Sequence, residues 1–208
     1  MNVLAHRGHW TCDQDKNSLA ALERAFQAGF GVETDIRDRA GDIVISHDVP
    51  RGSERLLAAA LPLLDAAPGP LLALNVKADG LARLLAGALT ARQRARCFVF
   101  DMAVPDTADY FRAGLPVFVR MSEVEGRSAW LDRAEGVWLD AFDGPWYDAA
   151  LVRELLALGK RVCVVSEELH GREHLPQWHA LAAVADHPRL MICTDHPQQA
   201  RTFFGSAR

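Results

Sequence analysis

The feature that most constrains this chain is an alternation running from end to end: a short β-branched or apolar run, then a longer helical pattern. The strand candidates are residues 3–6, 31–36, 71–76, 97–100, 116–120, 136–140, 161–165 and 190–194. Helical patterns lie near 18–28, 53–66, 80–89, 105–112, 126–133, 147–158, 172–185 and 197–204. Several of these open on Ser, Asp or Asn, whose side chains accept hydrogen bonds from unpaired N–H groups, and several close on glycine, at Gly29, Gly114 and Gly159. Eight β/α units predict an α/β fold, the (β/α)8 TIM barrel, with an open doubly wound sheet as the alternative. In such a barrel the chemistry sits where strands end and on the loops that follow.

Composition narrows the class of molecule. At 208 residues, half of them apolar, the chain can bury a core of its own, and one domain spanning 1–208 is expected. The net charge of -4 arises from acids and bases mixed along the chain, without the Lys/Arg block that tracks a phosphate backbone, which argues against nucleic acid as a partner. MNVLAHRGHW has neither a basic stretch nor an apolar core of a leader, and no apolar run reaches the roughly 18 residues a membrane span needs, so a cytoplasmic protein is expected. Cys12, Cys97, Cys163 and Cys193 are far apart and form no CxxC pair; three lie in apolar strand-like runs and read as small buried hydrophobes.

The strand GVETDI carries Glu33 and Asp35 two residues apart, on one side of the strand. Two packed carboxylates repel and raise each other's pKa unless positive charge lies between them, and a hard divalent cation with oxygen ligands supplies that charge. His6 ends the first strand in AHRGH, where Gly8 frees the backbone to turn and Arg7 offers a planar fork of donors suited to phosphate oxygens. His47 follows in DIVISHD, on an expected hairpin turned by Ala40, Gly41 and Asp42. Cleavage of a phosphodiester needs a base to activate the nucleophile and an acid to protonate the leaving oxygen, and histidine titrates near neutrality in either role. Asn75 and Lys77 share one face at the end of the third strand, where Lys77 could neutralise phosphate, form a Schiff base or be an ordinary surface lysine.

Taken together, AHRG, NSLAALERAFQAGFGVETDIR, GDIVISHD, LNVK and ICTDHP resemble the glycerophosphodiester phosphodiesterase family. The resemblance is dense over the first 80 residues and looser beyond. It implies a barrel of the PLC-like phosphodiesterase type, a bound Mg2+ or Ca2+, His6 and His47 as the acid/base pair, Glu33 and Asp35 as metal ligands, and Arg7 and Lys77 as phosphate contacts. The expected partner is a small glycerol- or sugar-linked phosphodiester, in keeping with lipid metabolism. The sequence departs from the family pattern in two places. Lys16-Asn17-Ser18 stands where Glu-Asn-Thr is usual, and Asn75 stands where a third carboxylate is usual, so Asn75 is expected to ligate the metal without adding charge and to weaken its binding.

Asp101 could supply the missing carboxylate or cap the helix near 105. FVFDMAVPD, GVWLDAF and VVSEELHGRE also resemble a bacterial subgroup of the superfamily, which implies that Asp101, Arg120, Trp138, Asp140 and Glu167 lie at strand ends and shape the substrate pocket. Barrel packing for Trp138 and a pair with Glu123 for Arg120 are the structural alternatives. Beside the metal-dependent phosphodiesterase stand two other functions, a non-catalytic phosphate-binding protein and a cyclising phosphodiester lyase.

Overall fold

In a computed structural model, residues 1–205 are described; the last three positions of the expected domain, 206–208, lie outside them. Nine strands alternate with helices. They are β1 Asn2–His6, β2 Gly31–Arg39, β3 Asp42–Ile45, β4 Leu72–Val76, β5 Cys97–Phe100, β6 Phe118–Met121, β7 Gly136–Leu139, β8 Arg161–Val165 and β9 Leu190–Thr194. The helices are α1 Leu19–Gln27, α2 Leu61–Ala66, α3 Ala82–Ala88, α4 Ala91–Arg94, α5 Val104–Arg112, α6 Ala149–Ala157, α7 Leu175–Leu181 and α8 Pro197–Gly205. With β3 set aside as the partner of β2 in a hairpin, eight parallel strands remain, and the fold is the expected (β/α)8 barrel.

The chain forms two compact units. One runs from Ala5 to Val117 and holds the end of β1. Here β2 pairs with β4, with Asp35 opposite Asn75, and β4 pairs with β5, both in parallel. Val99 of β5 also bridges Val117 in parallel. The other unit holds Met1–Leu4 and the chain from Phe118 on, where β6, β7, β8 and β9 pair in sequence order, all parallel. Within neither unit does the strand order reverse, and a reversal is what a doubly wound sheet requires. No helix among the described residues is long and apolar enough to cross a membrane.

Local chemistry explains the boundaries. Ser18 caps α1 by accepting from the Ala21 N–H, Asp148 caps α6 through the N–H groups of Ala150 and Leu151, and Gly29, Gly114 and Gly159 take the left-handed backbone just past helix ends. Two expectations fail. Residues 126–133 form turns instead of a helix, and within them the Ser128 hydroxyl accepts from Trp130, a bond that competes with a helical ladder. The helix expected over 53–66 is α2 preceded by a single 3-10 turn at Leu57–Ala59, and α4, which is four residues long and carries a Thr90/Gln93 capping box, was not expected. Cys97, Cys163 and Cys193 are buried thiols in strands, and Cys12 is an exposed thiol.

Candidate active site

The first unit gathers most of the residues singled out from the sequence. Glu33 and Asp35 project from β2 on the same side and are each 1% exposed. Burial, and then the charge of Asp35, push the Glu33 carboxyl up to about 7, against the opposing pull of His6, Arg7 and Lys77. Positive groups surround the pair. Arg7 Nε lies 3.1 Å from Asp35 Oδ2, Lys77 Nζ 3.6 Å from Asp35 Oδ1, and His6 Nε2 3.9 Å from Glu33 Oε2. The Arg7 backbone N–H also donates to Glu33 Oε2 at 3.2 Å.

Backbone strain concentrates at the same place. Four described non-glycine residues have left-handed backbone, Arg7, Asn17, Ala40 and Asp101, and three of them border this cluster or the strand ends beside it. Ala40 is the exception, serving the β2–β3 hairpin with Gly41 as expected. The Arg7–Gly8 turn can form because nothing projects from Gly8: an added Cβ would meet the Ala21 carbonyl carbon at 2.7 Å and the Leu22 nitrogen at 2.9 Å.

Asn17 is a participant that sequence reasoning assigned only to the start of the helix. Its Nδ2 donates to Asp35 Oδ2 at 2.9 Å, its Oδ1 accepts from the Thr34 hydroxyl at 2.7 Å, and its N–H donates to the Arg7 carbonyl at 2.9 Å. Asn17 thus fixes the Asp35 carboxylate and the Arg7 loop together. A signal was present, since Ser18 already caps α1 and leaves Asn17 with no capping role.

Two buried oxygens here have no hydrogen-bond partner, Asp35 Oδ1 and Asn75 Oδ1, which stand on paired positions of adjacent strands. Unpartnered buried oxygens are costly unless a cation or water meets them, and two carboxylates with one amide form an all-oxygen donor set suited to a hard divalent ion. No group of three or more His, Cys, Asp or Glu that could hold a metal exists among the described residues, so any such site leans on the Asn75 amide. Asp101 follows β5, half-buried, and Ala103 takes the N-cap position of α5 without a side-chain cap bond.

His47 follows β3, half-exposed, with Nδ1 at 2.8 Å from Asp48 Oδ1 and its carbonyl accepting from Arg37 Nε at 3.0 Å. It faces a groove of about 750 Å3 that Arg7 and Asn17 also line. The groove therefore brings one histidine onto the same opening as the Arg7–Asp35 contact. That volume is ample for a small polar ligand.

The second unit has a cluster of its own. Asp140, 4% exposed after β7, bonds His170 Nε2 at 2.7 Å and accepts from Trp146 Nε1 through its carbonyl. Arg120 sits 3.8 Å from Asp140 and 3.7 Å from Glu125, with its guanidinium 4.9 Å over the Phe142 ring. Arg172 pairs with the buried Glu167 and donates to the carbonyls of Ala141 and Phe142. Trp138 is 4% exposed in β7, in the barrel packing. The contacts of His170 with Asp140 and of Arg172 with the Ala141 and Phe142 carbonyls escaped sequence reasoning because these partners lie far away in the chain.

No family model and no curated protein sequence matches this chain. Solved structures do. A glycerophosphodiester phosphodiesterase from Parabacteroides distasonis superposes on 99% of this chain and 97% of its own, at a TM-score of 0.74 and 17% identity. The fold is that of a glycerophosphodiester phosphodiesterase. The Agrobacterium tumefaciens glycerophosphodiester phosphodiesterase matches at 0.69 and 16% identity over 100% and 99% of the two chains. An Oleispira antarctica phosphodiesterase, solved with the product sn-glycerol-3-phosphate, matches at 0.68 and 18% identity over 99% and 97%. At such identities it is the glycerophosphodiester phosphodiesterase fold that the neighbours share with this chain.

Proposed function

We propose that this protein belongs to the glycerophosphodiester phosphodiesterase family and hydrolyses a small glycerol- or sugar-linked phosphodiester, with His6 and His47 as its acid/base pair. The observation that carries the reading is the buried Glu33–Asp35 pair with Arg7 and Lys77 over it at strand ends. A fold neighbour solved with a glycerol phosphate product supports it.

In the proposed reaction the oxygen of a water bonds to phosphorus while one histidine takes its proton. The bond from phosphorus to one alcohol oxygen breaks, and that oxygen receives a proton from the other histidine. One water is consumed, and a phosphomonoester and an alcohol leave. In this reading Arg7 and Lys77 would meet the phosphate oxygens as negative charge builds on them. Asn17 and Asp35 hold Arg7 in place.

A divalent cation, Mg2+ or Ca2+, would be held by Glu33, Asp35 and the Asn75 amide oxygen; the buried Asn75 Oδ1, which has no hydrogen-bond partner, supports that assignment. When bound, it would neutralise the carboxylate pair and polarise the phosphoryl group. The pocket-shaping roles of Asp101, Arg120 and Trp138 belong to the same proposal.

Turnover of a simple glycerophosphodiester should require a divalent ion and should fall by about 100-fold or more in His6→Ala and in His47→Ala. Normal activity in either variant would sink the assignment of that histidine.

A further inference from the structure

The groove shared by Arg7, Asn17 and His47 has a charge balance that phosphate binding alone does not use up. Its wall includes the cations Lys16, Arg51 and Arg55 and the acids Asp13, Asp48 and Glu54. Each acid is already engaged. Asp13 binds Lys16 at 3.0 Å, and Lys16 also lies 4.3 Å over the Trp10 ring. Asp48 is bonded to His47 Nδ1. Glu54 pairs with Arg39 at 2.9 Å and accepts from the backbone N–H groups of Arg51 and Gly52.

This last arrangement matters for the sign of the groove. The acid closest in sequence to both arginines is turned inward, where it fixes the 51–54 turn. Arg51 and Arg55 are exposed residues of the groove lining and form no salt bridge within 4.0 Å among the described residues, although the charge of Arg51 helps to lower the carboxyl of Asp48 on the same wall. Arg51 and Arg55 thus line a polar groove together with Arg7 and His47 of the proposed reacting centre. A guanidinium fork matches phosphate or carboxylate oxygens, and a cleft lined by one sign of charge concentrates ligands of the other.

Building on the phosphodiesterase reading, we propose that this groove selects a diester one of whose alcohols carries a second anionic group, a phosphate or a carboxylate, held by Arg51 and Arg55. A diester with a cationic alcohol would meet the charge of the two arginines and be disfavoured. A neutral alcohol would be accepted with intermediate affinity. The reacting phosphate remains with Arg7 and Lys77, so the arginine pair contributes to choice of substrate and not to the bond-breaking step.

The test is binding by calorimetry and turnover by product assay on four probes: glycerophosphocholine, glycerophosphoglycerol, glycerophosphoinositol 4-phosphate and glycerophosphoglycerate. The two anionic probes should bind at least about tenfold tighter than the choline diester, and the margin should shrink between about 0.05 and about 0.5 M salt. Arg51→Glu with Arg55→Glu should invert the order. A margin confined to the inositol phosphate would identify the second group as phosphate, and one confined to the glycerate would identify it as carboxylate. Equal binding of all four, or a preference that survives charge reversal, would overturn the proposal. Turnover is read separately: a binding preference with no hydrolysis of any probe would contradict the hydrolase reading while leaving the charge selection standing.

Discussion

Replacing Glu33 by glutamine should make the metal-free protein more stable at alkaline pH, even though Glu33 is central to the proposed site. The wild-type carboxyl is raised from 4.5 to about 7, first by burial and then by repulsion from Asp35. A raised carboxyl pKa means that the folded state prefers the protonated form. Stability from this group is therefore complete below about 4.5, where both states hold the proton, and is lost as pH climbs through about 7. At about 1.4 kcal/mol per pKa unit, the ionised group costs the fold about 3 kcal/mol at pH 8 and under about 1 kcal/mol at pH 5. Glutamine has the shape of the neutral acid and can still accept from the Arg7 N–H. Urea denaturation of chelator-treated wild type and Glu33→Gln at both values measures the difference directly. The variant should gain about 3 kcal/mol at pH 8, or roughly 6–12 °C in melting temperature for a chain of this size, and little at pH 5. A Glu33→Gln protein less stable than wild type at pH 8 would refute the charge argument, because Arg7 and Lys77 would then be compensating Glu33 in full.

Gly8→Ala should cost at least about 2 kcal/mol in urea denaturation, since its Cβ would press on the α1 backbone from a left-handed position; an unchanged midpoint would show that the Arg7 loop tolerates displacement. Asn75→Asp should tighten calorimetric binding of Mg2+ or Ca2+ by about tenfold, because it adds charge at the position paired with Asp35. An unchanged affinity would mean that Asn75 does not face the ion.

The repeating pattern carried the architecture because parallel strands buried on both faces read as apolar runs, and because capping residues mark helix starts; β5, β8 and β9 lie where the pattern placed them. It failed at 126–133, where the Ser128 hydroxyl bonds the backbone locally, a competition that helical periodicity does not register. Within the site, Glu33 and Asp35 were legible because their spacing is local. The partnership of Asn17 with Asp35 and of His170 with Asp140 was not, since each joins residues that only the fold brings together.

Phosphorus NMR of a glycerophosphodiester incubated with the wild-type protein and Mg2+ or Ca2+ tests the central claim most directly. A phosphomonoester resonance should grow as the diester disappears, with none for a cyclic diester. A cyclic product would show a lyase, and a diester signal that persists unchanged would show a protein that binds without turning its ligand over.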